Sequence, residues 1–134
     1  MSSLSKAVQG YLAQWIRGTS FPAPPTTLYI GLSTTVPKDN GTSFTEPTLA
    51  QGYTRQIVVL GAPVHVEGVG TTVTNTNALV FGPAATSNWP TVVAAGVFDQ
   101  SGNLLFKGEF TVPRSAPIGD SLSFGVGTIT FRVV

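Results

Sequence analysis

Cysteine is absent from the 134 residues, which excludes disulfides, thiolate metal ligands and cysteine nucleophiles together. Charge is scarce as well: Lys, Arg, Asp and Glu make up 10% of the chain, against about 25% in an average globular domain. The formal net charge of +1 gives no field that would steer the protein towards nucleic acid or an acidic membrane. No apolar run approaches the ~20 residues of a membrane-spanning helix, and the start lacks the basic-then-apolar pattern of a secretory signal. A soluble monomer ordinarily relies on charge to stay dispersed, so an exterior this neutral points to a subunit covered by its neighbours. A β domain coated with threonine hydroxyls is the plainer alternative.

What is present is enough apolar material, 42% of residues, for one core at this length. The expectation is one domain over 1–134, with a helix in 1–18 and a β body in 26–134. Leu4, Val8, Tyr11, Leu12, Trp15 and Ile16 recur at helical spacing and form one apolar stripe. Ser2 or Ser3 is placed to cap that helix, Gly18 to stop it, and Pro22 lies just beyond. The stripe needs a partner: the domain's own sheet is the first expectation, another subunit the second.

From residue 26 short runs of Val, Thr, Ile, Leu and Phe alternate with most of the 15 glycines and 10 prolines, which predicts strands and turns. The strands fall at 27–32, 55–60, 64–66, 71–74, 79–81, 92–98, 104–110, 121–124 and 128–133. The polar turn 99–103 joins two of them in a hairpin, and Ile129, Phe131 and Val133 alternate with polar residues, so the last strand buries one face. This pattern reads as an all-β, jelly-roll-like β-sandwich with one amphipathic N-terminal helix; an up-and-down barrel is the alternative. Residues 33–53 form the longest loop, a candidate interaction arm.

The ionisable inventory is Asp39, Glu46, Glu67, Asp99, Glu109, Asp120 and the lone His65. No serine sits in a nucleophile-elbow context to pair with His65. His65 and Glu67 share one strand face, which suits a surface ion pair better than half a metal site. Asp99 belongs to turn chemistry rather than to a carboxylate pair with Glu109, and Asp39-Asn40-Gly41 lacks the further ligands of a calcium loop. Gly68-Val69-Gly70 and Gly125-Val126-Gly127 lack the lysine and the following helix of a phosphate cradle. No catalytic residue, metal site or cofactor is therefore assigned. The candidate interface residues are Tyr11, Trp15, Phe44, Tyr53, Arg55 and Trp89, because large aromatic and Arg side chains anchor interfaces. A carbohydrate-binding sandwich, with Trp15, Trp89 and Tyr53 as stacking faces, is the competing class.

The order of features also carries a resemblance. The helix precedes Pro25-Thr26-Thr27-Leu28-Tyr29-Ile30-Gly31-Leu32 and then Gly52-Tyr53-Thr54-Arg55. Downstream come Asn77-Ala78-Leu79-Val80-Phe81-Gly82-Pro83-Ala84, Asn88-Trp89, Ala95-Gly96-Val97-Phe98-Asp99, Gly102-Asn103-Leu104-Leu105 and Gly119-Asp120-Ser121-Leu122. Together these resemble small virion structural proteins of tailed bacteriophages, labelled tail fibre or head decoration (cement) proteins. The resemblance implies architecture and a place in the virion, not an active site. With no repeat shaft or coiled coil in these residues, a decoration protein bound to the major capsid protein at the head surface is the first expectation, as a homo-oligomer (dimer or trimer). A tail-fibre or tail-tip component is the second. Contact with nucleic acid or membrane is not expected.

Overall fold

The computed structural model describes residues 4–38 and 40–133, so Ser2, Ser3 and Asp39 lie outside the described residues. Helix α1 spans Lys6–Ile16. Ser5 caps it, its Oγ accepting from the Val8 N–H at 3.4 Å, and Gly18 ends it at φ 101°, a left-handed backbone that glycine adopts without strain. Leu4, the first residue of the apolar stripe, precedes the helix. It bridges to Phe106, while the Ser5 N–H donates to the Leu105 carbonyl at 2.9 Å.

Nine strands follow: β1 (Tyr29–Ser33), β2 (Gln56–Ile57), β3 (Val64–Val66), β4 (Gly70–Thr74), β5 (Leu79–Phe81), β6 (Val92–Phe98), β7 (Leu104–Arg114), β8 (Leu122–Phe124) and β9 (Thr130–Val133). All pairings are antiparallel. The body is all-β and sandwich-like, but its strands sort into three sheets instead of two: β2-β1-β6-β7, β3-β4-β9 and β5-β8. Gly61-Ala62-Pro63 and Gly82-Pro83-Ala84 interrupt the ladders between them, because Pro lacks the N–H a central strand must donate.

One hydrophobic cluster joins the sheets, with Ile30, Leu32, Leu79, Phe81, Val92, Val97, Leu122, Phe124 and Phe131 among its members. Fully burying such a side chain contributes roughly 1.5–3 kcal/mol. Asn75 is buried beside this interior, as Ser5 and Ser33 are elsewhere. Its Oδ1 accepts from the Ile129 N–H at 2.9 Å and its Nδ2 donates to the carbonyls of Asn77 and Gly125 at 2.8 and 3.0 Å. The end of β4 is thereby fastened to the β8–β9 turn with the side chain satisfied, as burial requires.

Strand β6 reads Val-Val-Ala-Ala-Gly-Val-Phe with little alternation because both of its faces are covered. Gly31 of β1 and Gly96 of β6 stand opposite each other in register, leaving a trough on the outer face of that sheet. The 33–53 segment folds back into this trough rather than extending as an arm. A Cβ on Gly31 would lie 2.9 Å from Glu46 Oε2, and one on Gly96 2.9 Å from Phe44 Cε2. Ser33 Oγ fixes the segment's ends, accepting from the backbone N–H groups of Thr35 and Thr45 at 3.2 and 3.0 Å.

Strand β7 runs four residues past its expected end. Its register with β6 jumps from Ala94↔Glu109 to Val92↔Arg114, so the intervening residues bulge away and carry Phe110 onto Phe124, ring centroids 5.6 Å apart. A proline at 113 argues against continuous pairing, and the bulge is where a proline can sit in a strand.

Candidate functional site

Four of the resembling motifs meet at one place and hold it together. Gly52 ends a short 3-10 turn (Leu49–Gln51) at φ 84°, and a Cβ there would stand 2.3 Å from the Pro83 carbonyl oxygen. Glycine is therefore demanded twice, by backbone angle and by close approach. The Gln51 carbonyl accepts from the Ala85 N–H at 2.8 Å and from Trp89 Nε1 at 2.6 Å. Ala84 exchanges hydrogen bonds with Asp120 and Gly119, and the Trp89 N–H reaches the Ala116 carbonyl at 2.9 Å. The Tyr53 ring stacks on Phe81 at 6.0 Å and meets Trp89 edge-on at 5.7 Å.

This corrects the reading of two candidate interface residues. Tyr53 and Trp89 are 5% and 3% exposed, so their rings are core rather than contact surface, and a stacking platform built from Trp15, Trp89 and Tyr53 loses two of its three rings. The reason is packing: an aromatic flanked by Gly and Pro turns fills the space those turns open.

Arg55 and Phe44 come together around Phe98. The Arg55 guanidinium lies 3.7 Å from that ring's centroid, and Phe44 meets it edge-on at 5.1 Å. Arg55 Nη2 donates to Glu46 Oε1 at 2.7 Å and its Nε to both carboxylate oxygens at 3.1 and 3.2 Å. The Tyr53 hydroxyl donates to Glu46 Oε2 and accepts from the Leu32 N–H at 2.8 Å. Burial, reinforced by the neighbouring Glu46 carboxylate, pushes the Tyr53 phenol far above its ordinary pKa, and the hydrogen bond to Glu46 raises Arg55 further. The triad is thus a proton-holding structural cluster, with the phenol kept neutral and the charges matched.

His65 and Asp99 are engaged in local contacts as well. His65 Nε2 lies 3.5 Å from Glu67 Oε1 on an exposed strand. Asp99 Oδ1 accepts from the N–H groups of Ser101 and Asn103, both at 2.9 Å, closing the β6–β7 hairpin. Burial alone would raise the Asp99 carboxyl, but the hydrogen bonds from Asn103, Ser101 and Gly102 outweigh it and hold the pKa below its usual value. Glu109 pairs with Ala94, far down the ladder from that turn. Gly68-Val69-Gly70 is the β3–β4 turn, with the Val69 N–H on the Val66 carbonyl at 3.0 Å. Gly125-Val126-Gly127 is the β8–β9 turn, closed by Thr128 Oγ1 on the Gly125 carbonyl at 2.7 Å. Among the described residues no group of three or more His, Asp or Glu is placed to hold a metal ion, and no helix is long and apolar enough to cross a membrane.

The other two candidates stand apart from this framework, on α1. The helix has no buried residue, contrary to the first expectation that Tyr11 and Trp15 pack on the protein's own sheet. Trp15 is 58% exposed, Ile16 76% and Tyr11 42%. The chain is anchored to β7 at Leu4 and Ser5, and beyond that point the helix and the proline-rich return segment face each other across a groove. A groove of about 540 Å³ results, walled by Val8 and Tyr11 on one side and Phe21 to Pro25 on the other, over a floor of Leu28, Val97 and Phe106. Phe21, which sequence reasoning passed over, is 44% exposed, its ring 6.2 Å from that of Trp15. Its signal was an aromatic between a helix-stopping glycine and a proline, where no strand or helix could bury it.

A family model described as Podophage GP4 fiber I protein gp80 matches residues 3–132. No curated protein matches the chain.

Proposed function

As the chain belongs to the podophage GP4 fiber I protein gp80 family, we propose that it is a non-enzymatic structural subunit of a phage virion and that it sits in a fibre assembly. The observation that carries this reading is the extent of the match, residues 3–132, which takes in the helix, β1 to β8 and all but the last residue of β9. The geometry supports a structural role: the carboxylates of Glu46 and Asp99 and the imidazole of His65 all serve internal contacts. The exposed apolar surface around Trp15 supports a role as one subunit of an assembly, since a contiguous apolar patch marks a contact surface.

Head decoration on the major capsid protein is the second reading, favoured by the sparsely charged exterior. Immunogold electron microscopy of virions, with an antibody against this chain, separates the two. Gold confined to fibres is the expected outcome; gold spread over the head would replace fibre with decoration, and unlabelled particles would end both.

A further inference from the structure

We propose that the α1 face bearing Tyr11, Trp15 and Phe21, together with the segment Pro22-Ala23-Pro24-Pro25, is a self-complementary surface by which two copies of this chain pair. Both halves of one recognition mode lie side by side on it. Residues 22–25 are all exposed, and a proline-rich run of this kind is held extended by its fixed φ, with little freedom left to lose on binding. Aromatic-lined grooves are what such runs dock into. Across a two-fold axis the aromatic rings of one copy receive the proline segment of the other, and the reverse contact follows by symmetry.

Area decides between this joint surface and the helix alone. Tyr11, Trp15, Ile16 and Phe21 expose on the order of 400 Å², taking ~200 Å² for a whole aromatic side chain. That falls short of the ~600 Å² per side at the lower end of specific interfaces. Residues 22–25, all exposed, are what enlarges the surface towards that bound. Charge agrees with a homotypic contact. Between Lys6 and Arg17 the helix carries no ionisable side chain except the Tyr11 phenol, and the one carboxylate lining the groove, Asp99, is engaged by its own turn. Two copies therefore meet without opposing like charges. This pairing is a property of the free protein and goes beyond the virion role, whose test does not depend on it.

The test is sedimentation of the isolated full chain over a concentration series, with tryptophan emission read in parallel. Trp89 is buried and emits alike in both states, and Trp15→Phe leaves it as the only indole, so subtraction isolates Trp15. The expected result is a monomer–dimer equilibrium in which Trp15 emission shifts to the blue as dimer forms. Trp15→Ala and Pro24→Ala should each weaken it by about tenfold or more with the far-ultraviolet circular dichroism unchanged. A protein that stays monomeric at every soluble concentration overturns the proposal. So does a dimer whose Trp15 emission does not move, or one that both variants leave intact.

Discussion

The two tryptophans divide the molecule's labour. Trp89 is held on four sides, by Tyr53, the Gln51 carbonyl, the Ala116 carbonyl and the core, whereas Trp15 touches Phe21 and solvent. Truncating a buried Trp removes its transfer free energy and leaves a cavity, so Trp89→Ala should lower stability by roughly 3–5 kcal/mol. Trp15→Ala, at a position exposed in the single chain, should change the stability of the monomer by no more than about 0.5 kcal/mol, so the comparison is made at a concentration too low for pairing. Urea denaturation of both variants checks the pair, and comparable losses would show α1 to be packed more tightly than described. Local sequence could not have sorted these residues: Trp15 stands on an apolar helical stripe of the kind that ordinarily faces a core, and Trp89 among the turn formers Ser87, Asn88 and Pro90, which ordinarily lie at the surface. What separates them is a carbonyl 38 positions away in sequence, which no local pattern encodes.

Among the elements, the β6–β7 hairpin was the plainest in the sequence, since apolar runs flank a polar, Gly-containing turn. Its hydrogen bonds make it pH-sensitive in a definite direction. The Asp99 pKa is lowered on folding, so its stabilisation is fully present above the ordinary carboxylate value of about 3.9. It is lost as pH falls through the lower folded value. The stability difference between wild type and Asp99→Ala should therefore be constant from neutral pH down to about pH 5 and shrink below pH 4, measured by thermal melts across that range. A difference that grew on acidification would contradict the assignment. Strands β3, β5 and β6 were legible to the residue because Gly, Pro or Asn brackets each one. The 33–53 segment was not: its proline and threonine content matches a loose loop, and what folds it back is the paired absence of side chains at Gly31 and Gly96 on two other strands.

Over the whole molecule, stability should fall off from the β1–β6 centre towards the N-terminus. An 11-residue helix is marginal by itself, and α1 fully buries none of its residues. In the dilute monomer, hydrogen exchange should find the α1 amides opening locally with little protection while those of β1 and β6 exchange only on global unfolding. Equal protection in both would mean that the helix is docked. The all-β class and its strand inventory were readable from periodicity. The three-sheet division was not, because it depends on which strands meet, and those meetings span up to 69 residues, as between Tyr29 and Phe98.

The β3–β4 hairpin stands at the opposite extreme from the core. Residues 62–69 are exposed throughout, and a Cβ on Gly68 would meet nothing within 4 Å. Because lengthening a surface turn adds closure entropy only slowly, foreign peptide spliced in there leaves the framework undisturbed. A particle assembled so that this hairpin stays uncovered would present that guest sequence once for every copy it carries, a graft point for epitope display.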